Sequence, residues 1–258
     1  MFGSALLRIK PGRPVKIAAM FFGAHMEFTF TLPQDYGASS PKKDLTLPEG
    51  EREVLLHSCC APCSTAVLEC MIANGIRPLV FFCNPNIQPQ DEYEKRRDEW
   101  LRLCGLLKLE TAVDPYDTAK WFECIKGFED EPERGRRCDR CFAFRLTRAA
   151  RFAKERGIRV FTTTLATSRW KSKPQVDRAG RAAQDAVPGT LYWDIDWRKE
   201  GLVGRRYELV KEIGFYNQRY CGCVYSMKSV MEQKKIREKR EILKSSLDTD
   251  ELSGALTK

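Results

Sequence analysis

The sequence predicts an α/β protein in which helices cover a parallel sheet and cysteine-rich loops lie at the carboxyl ends of its strands. From residue 53 onward, short apolar runs alternate with longer amphipathic stretches, and this alternation is typical of a parallel sheet. Cysteines are grouped in the connections between these elements, at the sheet edge where such folds bind ligands. The pattern therefore predicts a Rossmann-like, nucleotide-binding type of α/β fold with its site among those loops.

Length and charge limit the classes of protein to be considered. The chain has 258 residues, which is long enough to bury a large core. Its formal net charge of +9 suits binding to a polyanion such as RNA. No apolar run has the length of a membrane span, so a membrane partner is not expected. The N-terminus lacks the sustained apolar core of a signal peptide, and clustered thiols in a cytoplasmic protein are typical of metal or redox chemistry.

Three regions are predicted along the chain. Residues 1–50 contain five prolines and a Gly-Ala-Ser-Ser segment that interrupt any periodicity, so they are predicted to be a flexible N-terminal extension. Residues 51–228 are predicted to form the catalytic α/β domain. Residues 229–258 are polar and basic, and are predicted to form a solvated C-terminal helix or tail.

The elements of the central region follow from periodicity and from helix-ending glycines. In the clearest helix, apolar side chains recur at the spacing of one helix face, at Phe142, Leu146, Ala149, Ala150 and Ala153. Glycines at positions 75 and 157 end two of the helices. Strands are predicted at 54–57, 77–83, 109–113, 160–163 and 191–195. Helices are predicted at 64–74, 91–104, 118–125, 141–156, 172–187 and 207–214.

The first cysteine group, Cys59, Cys60 and Cys63, follows the first strand and precedes a helix that Pro62 can begin. The positive end of a helix dipole lowers the pKa of nearby thiols. In an extended backbone the adjacent side chains of Cys59 and Cys60 point to opposite faces, so this pair could bridge two centres rather than serve one.

Two further groups lie downstream. Cys138 and Cys141 have the spacing shared by zinc, thioredoxin-like and iron–sulfur sites, and Cys221 and Cys223 are separated by one residue. A structural zinc ion needs only four thiolates, so three of the seven remain. Three ligands would leave an open, catalytic coordination position; alternatively, Cys221 and Cys223 form a strained, easily reduced disulfide. The isolated cysteines at 70, 83, 104 and 124 are predicted to be buried apolar residues.

These groups, taken with their flanking residues, resemble the cobalamin-independent epoxyqueuosine reductases, the QueH family. The similar blocks are HSCCAPC (57–63), NPNI with Tyr93 and Arg96 (84–96), GFEDEPERGRRCDRC (127–141), FTTTLATS with Lys171 (161–171) and YNQRYCGCVYS (216–226). They occur in order within residues 54–228. Some family members carry an aspartate at the position of Cys63, and a thiolate there makes the site softer, which leaves iron coordination by Cys63 open.

The resemblance implies the last step of queuosine synthesis, in which epoxyqueuosine in a tRNA anticodon loses its epoxide oxygen as water. It implies a [4Fe–4S] cluster, assigned to Cys59, Cys60, Cys138 and Cys141. Cys63, Cys221 and Cys223 are then either a redox thiol group or the ligands of a second, mononuclear iron. The reaction also needs an electron donor as a partner, which the sequence leaves unidentified.

Aromatic and basic residues near the cysteine groups are candidate contacts of the tRNA substrate. Tyr220 is the first candidate to stack on the modified base or to donate a proton. Neighbouring tyrosines with the same potential are Tyr216 and Tyr225. Candidate phosphate contacts are Lys171, Arg205, Arg206 and Arg219. His57 could orient the first cysteine loop by hydrogen bonding or transfer a proton.

Two other functions are weighed against the reductase. A tRNA sulfur-transfer enzyme with an iron–sulfur cluster would need a glycine- and serine-rich ATP-binding loop after the first strand, whereas residues 57–63 contain no glycine. An RNA-binding module with structural zinc would be colourless and contain zinc rather than iron.

Overall fold

A computed structural model describes residues 15–21, 24–30, 35–41, 44–168 and 170–255, and side chains only within 35–241 of these ranges. The described strands are β1 (Val15–Phe21), β2 (Ala24–Phe30), β3 (Val54–Ser58), β4 (Leu79–Phe82), β5 (Thr111–Val113), β6 (Val160–Thr163) and β7 (Leu191–Tyr192). The described helices are α1 (Ala61–Ala73), α2 (Gln90–Leu106), α3 (Thr118–Ile125), α4 (Arg136–Glu155), α5 (Lys173–Ala186), α6 (Leu202–Ile213) and α7 (Val224–Ala255).

The main sheet is five-stranded and parallel, with the order β5-β4-β3-β6-β7. The predicted fold class is confirmed. From β3 the chain passes through α1 to β4 on one side of the sheet, and it later returns to β6 on the other side. The strand order therefore reverses at β3, and the crevice beyond the carboxyl ends of β3 and β6 is where such sheets bind their ligands.

Two apolar layers lie on opposite faces of the sheet. Alternate side chains of β3 enter different layers: Val54 and Leu56 pack with the apolar residues of α1, α2 and α6, whereas Leu55 packs with those of α4 and α5. This alternation follows from the two-residue period of a strand. The first cysteine group belongs to the α4 and α5 layer, so the site is built on the central strand of the sheet and one of its two helical layers.

Local sequence explains several element ends. Asp117 caps α3, because its Oδ1 accepts a hydrogen bond from the Lys120 backbone N–H at 3.1 Å. Gly214 ends α6 with φ of 71°, a left-handed conformation that favours glycine. Gly180 lets α5 cross close to Tyr192, since a Cβ there would clash with the tyrosine ring.

Some predicted boundaries were displaced. The helices α1, α4 and α6 begin several residues earlier than the sequence pattern indicated, and β4 and β7 are shorter than predicted. Because α4 starts at Arg136, it contains both Cys138 and Cys141. Their separation of three residues then places both on one helix face.

The N-terminal region contains structure that the sequence pattern did not predict. The strands β1 and β2 form an antiparallel hairpin. Further on, Leu45 and Leu47 are buried in the layer of α1 and α2, and the Leu45 backbone N–H donates to Asn74 Oδ1 at 2.9 Å. Parts of residues 1–50 lie outside the described residues. The division of the chain at residue 50 stays a prediction, although these contacts cross it.

The C-terminal region contains the 32-residue helix α7. Along residues 231–241 its side chains are exposed, and ion pairs along this stretch, such as Lys234 with Glu238, join residues of the same helix. Residues 256–258 of the predicted C-terminal region lie outside the described residues. The helix is thus exposed to solvent over 231–241, and the start of the region at residue 229 stays a prediction.

Candidate active site

The first cysteine group closes around a single point at the carboxyl end of β3. Cys59 and Cys60 form the connection between β3 and α1, and Cys63 lies in the first turn of α1. The three sulfurs are buried and lie within 4.8 Å of one another. The Cys59 and Cys60 sulfurs are 3.8 Å apart, so the expectation that they point to opposite faces is wrong. The chain turns from strand to helix between them, which brings both sulfurs to one side.

This spacing suits a bound metal ion. Ligand sulfurs about 2.3 Å from a tetrahedral metal are separated by about 3.8 Å, which matches the distance between the Cys59 and Cys60 sulfurs. Hydrogen bonds from Cys60 and Cys63 lower the pKa of Cys59 well below its usual range, and hydrogen bonds with Cys59 and Cys63 raise the pKa of Cys60 well above its own. The group therefore readily holds one negative charge among its sulfurs and could bind a metal.

Polar donors surround this group. The Thr164 hydroxyl lies 3.4 Å from the Cys59 sulfur and donates to it, and the Cys59 backbone N–H donates to the same hydroxyl oxygen at 3.1 Å. Gln218 Nε2 donates to the Cys60 sulfur at 3.0 Å. Donors of this kind orient and stabilise thiolate ligands.

The remaining four cysteines are electrostatic neighbours. Burial raises the pKa of Cys138 to about 12, with further contributions from Cys141, Cys221 and Cys223. Burial likewise raises the pKa of Cys141 to about 11, with contributions from Cys223 and Cys221. The structure thus brings the Cys138 and Cys141 pair to the Cys221 and Cys223 pair, and it brings Cys63 to Cys59 and Cys60.

Two N–H groups face the sulfurs of α4. The Arg134 backbone N–H donates to the Cys138 sulfur at 3.3 Å. The Trp121 indole N–H is buried without a hydrogen-bond partner among the described residues and lies close enough to the Cys141 sulfur to lower the pKa of that thiol against the larger effect of burial. Cys138 therefore has a donor suited to a thiolate, and Cys141 has an unpaired N–H nearby.

A narrow cleft with a volume of about 10 Å³, which is room for about one water molecule, opens among the cysteines. Its walls come from the loops after β3, β4 and β6, from α2 and α4, and from the segment before α7. The lining residues are Cys59, Cys60, Asn84, Asn86, Ile87, Arg96, Arg145, Lys171, Gln218 and Cys221. Asn86 Oδ1 and Gln218 Oε1 are both buried without a partner among the described residues, so two acceptors beside the cleft are unsatisfied.

Lys171 lies inside this cleft rather than on the surface. It is 6 % exposed. Burial by itself would lower its pKa, but the nearby Cys221, Cys59 and Cys63 thiolates raise that pKa above its usual range. Lys171 therefore stays charged beside the sulfurs, and its burial does not suit the phosphate contact considered from the sequence.

Tyr220 lies next to the cleft with one ring face covered. Its hydroxyl donates to the Gln88 carbonyl at 2.5 Å, and the Arg96 guanidinium lies 5.1 Å from the centre of its ring. Burial raises the pKa of Tyr220 to about 12. The hydroxyl is thus engaged and protonated, which leaves the half-exposed ring for a stacking contact.

The two neighbouring tyrosines have other partners. The Tyr216 hydroxyl donates to Glu92 Oε2 at 2.7 Å, and the Tyr225 ring lies under the Arg137 guanidinium at 4.5 Å.

The predicted phosphate contacts differ in their surroundings. Arg205 is 6 % exposed and its guanidinium lies 2.8 Å from the fully buried carboxylate of Glu69, so it joins α6 to α1. Arg206 donates to the Thr167 carbonyl at 3.1 Å, and Arg219 is exposed. Arg205 is therefore a structural residue, because a phosphate cannot replace a carboxylate that the fold already buries.

His57 is a buried connector between strand ends. Its Nδ1 lies 2.7 Å from the Thr163 hydroxyl and its Nε2 lies 3.1 Å from the Cys83 carbonyl. Burial lowers the pKa of His57 to about 3, so the ring is neutral, donates from Nε2 to the carbonyl and accepts at Nδ1. These contacts support the orienting role among the two considered from the sequence.

Several residues of the site carried too weak a signal in the sequence to be singled out. Asn86 and Gln218 lie inside two of the motif blocks, but nothing in the pattern distinguishes their amides from neighbouring ones. Arg145 and Trp121 lie on helices whose periodicity indicates packing, and only the fold brings them to the cysteines.

No helix in the described part of the chain has both the length and the apolar character needed to cross a membrane.

Comparisons with known proteins give a consistent result. A family model described as "Epoxyqueuosine reductase QueH" matches residues 54–229. A protein of that name from Acinetobacter baylyi is 45% identical over 190 residues, covering 74% of this chain and 87% of the relative. Its namesake from Haemophilus influenzae is 44% identical over 195 residues, covering 76% and 80%. The one from Thermotoga maritima is 37% identical over 178 residues, covering 67% and 90%.

Proposed function

The chain belongs to the epoxyqueuosine reductase QueH family, and on that premise we propose that it reduces epoxyqueuosine in tRNA to queuosine. The reaction adds two electrons and two protons, breaks both C–O bonds of the epoxide, leaves an alkene and releases the oxygen as water. The observation that supports it best is the buried group of Cys59, Cys60 and Cys63, which opens on a small polar cleft next to four more cysteines. The reaction is expected in the cytoplasm, with tRNA as the partner.

The residues present fit an iron–sulfur centre. Cys59, Cys60 and Cys221 line the cleft, and Cys63 lies beside the first two. The Thr164 hydroxyl and the Gln218 amide donate to sulfurs of this group, as expected around thiolate ligands. We assign the cluster to Cys59, Cys60, Cys138 and Cys141. When bound, a [4Fe–4S] cluster would supply electrons one at a time, and a second iron would act as a Lewis acid.

The remaining cysteines are assigned to the chemistry beyond cluster binding. Cys221 lines the cleft, and we propose that Cys221 and Cys223 act there either as a redox pair or as ligands of the second iron, together with Cys63. The proximity of Cys63 to Cys59 and Cys60 supports a competing division, with three cysteines at one centre and the four at 138, 141, 221 and 223 at the other.

Serine variants separate the two divisions. After anaerobic reconstitution, Cys221→Ser and Cys223→Ser should keep the visible spectrum of the cluster and lose turnover, whereas Cys59→Ser and Cys138→Ser should lose iron and sulfide. Loss of the cluster in Cys221→Ser and Cys223→Ser, with retention in Cys59→Ser, would establish the competing division. Cys124→Ser serves as the control, since this cysteine belongs to neither group.

The surroundings of the cleft suggest how the modified base is held. The cleft has room for about one water molecule, so the base would enter only as the cleft widens, and the unsatisfied acceptors on Asn86 and Gln218 would then receive hydrogen bonds from its N–H or O–H groups. The half-exposed ring of Tyr220 is available for stacking. Phosphates of the tRNA would then lie outside the cleft, near exposed side chains such as Arg219.

The deciding experiment is reduction of tRNA that carries epoxyqueuosine by the anaerobically reconstituted protein with a chemical reductant. Queuosine should form only with iron–sulfur-loaded protein and not with the Cys221→Ser variant. A colourless protein that retains zinc and binds RNA without turnover would favour the zinc-binding RNA module. ATP-dependent incorporation of sulfur into tRNA would favour the sulfur-transfer enzyme.

A further inference from the structure

Buried cations in this protein fall into two classes. The first class pairs with buried carboxylates: the Arg96 guanidinium lies 2.6 Å from the Glu92 carboxylate, and that of Arg205 lies 2.8 Å from Glu69. Such pairing is expected, because removing an isolated charge from water into a protein interior costs on the order of several kcal/mol per ion.

The second class has no such partner. Arg137, Arg145 and Lys171 are 4 %, 2 % and 6 % exposed, and among the described residues no carboxylate oxygen lies within 4 Å of any of them. Arg145 donates to the Cys83 carbonyl and the Asn84 side-chain oxygen. Arg137 donates to two backbone carbonyls, and its Nε is buried without a partner among the described residues. These contacts satisfy hydrogen bonds but do not neutralise charge.

Each cation of this second class lies beside cysteines. Arg145 and Lys171 line the same cleft as Cys59, Cys60 and Cys221, and no carboxylate is among the residues that line it. Arg137 directly precedes Cys138 on α4, and its charge lowers the pKa of Cys223 against the larger effect of burial. The three positions come from α4 and from the loop after β6.

We propose that Arg137, Arg145 and Lys171 are built-in counter-charges for an anionic sulfur centre. Because no carboxylate pairs with these cations, the negative charge that balances them is carried by the thiolates and whatever these bind. They act as positioning residues that stabilise the more negative, reduced state of the centre. This role in setting a reduction potential rests on the proposed function, since it requires the bound centre to be redox-active.

The direction of the effect follows from charge. Adding an electron makes the centre more negative, so each nearby buried cation favours reduction, and removing one cation lowers the reduction potential. A unit charge near the edge of a protein interior is only partly screened. We therefore expect roughly a tenfold change in the reduction equilibrium for each charge removed, which corresponds to about 59 mV for a one-electron couple.

The test compares Lys171→Met with Lys171→Arg, which keeps the charge, in reconstituted full-length protein. Redox titration followed in the visible spectrum should show a potential lower by about 59 mV for Lys171→Met, and a smaller shift for Lys171→Arg. Arg137→Gln provides a second removal of charge if Lys171→Met fails to fold. Arg140→Met is the matched control, since it removes an exposed arginine beside Cys141 and should leave the potential unchanged.

The outcomes are separable. An iron–sulfur couple whose potential is the same in wild type, Lys171→Met and Arg137→Gln would overturn the counter-charge role and leave the proposed function intact. If the wild type shows no redox couple and holds zinc, the proposed function fails. The rate of metal loss to a chelator then decides the counter-charge role by itself: about tenfold faster loss in Lys171→Met supports it, and equal loss overturns it.

Discussion

Replacing Arg205 by methionine should destabilise the protein without weakening tRNA binding directly. The sequence placed this arginine among candidate phosphate contacts, but in the structure its guanidinium contacts the fully buried carboxylate of Glu69 at 2.8 Å. The same guanidinium also lies 3.1 Å from the Asp35 carboxylate. Loss of the cation therefore leaves Glu69 charged and buried, with only a neutral donor, the Gly37 backbone N–H at 3.0 Å, still in contact among the described residues.

The size of the effect follows from burial. Removing one partner of a buried ion pair costs about 3–5 kcal/mol of the free energy of unfolding. The further pairs to Asp35 and Glu208 involve carboxylates that are 44 % and 60 % exposed, and exposed pairs contribute only about 0–1 kcal/mol. For a domain of this size, a loss of 3–5 kcal/mol corresponds to a fall in Tm of roughly 6–20 °C.

Urea unfolding followed by circular dichroism measures the change, and fluorescence anisotropy measures tRNA affinity under conditions where the variant is folded. Arg178→Met is the control, because it removes a 69 % exposed arginine with a longer ion pair and should change stability by at most about 1 kcal/mol. The double variant Arg205→Met with Glu69→Leu should regain most of the stability. An unchanged urea midpoint combined with weaker tRNA binding would refute the reasoning.

Three further predictions concern the site. Trp121→Phe removes the N–H beside the Cys141 sulfur and should weaken iron retention by roughly 10–100-fold against a chelator; equal retention would show that this N–H does not support the ligand. His57→Gln, which can reproduce one hydrogen bond, should keep more turnover than His57→Ala, whereas equal loss would indicate proton transfer. In a binding titration, Tyr220→Ala should erase the preference for tRNA bearing epoxyqueuosine. Arg219→Ala should lower the affinity for all tRNAs and reduce the slope of log affinity against log salt concentration by about 1. If Arg219→Ala erased the preference and Tyr220→Ala lowered all affinities, the two assigned roles would be wrong.

Much of the fold could be predicted because it depends on local patterns. The alternation of apolar runs with amphipathic stretches predicted all five strands of the parallel sheet and the helices between them, since each element must bury one face. The sequence did not predict the hairpin of β1 and β2, because its strands lack a clear period and prolines at 11, 14 and 33 lie on either side of it. It also did not predict the burial of Leu45 and Leu47, because docking of an irregular segment depends on a surface formed by distant helices.

The chemistry of the site divides in the same way. The sequence by itself indicated which thiols are candidates to bind a metal, because cysteines grouped this closely have few other uses, and the motifs carried the family resemblance that the comparisons bear out. Only the tertiary structure decided which residues meet. It brought the Cys59 and Cys60 sulfurs to one side of the chain. It also buried Lys171 among thiols and paired the Arg205 guanidinium with the Glu69 carboxylate. The sequence tells which residues can be charged. Which group balances that charge depends on the fold, because the interaction of two charges depends on their distance and on the local dielectric.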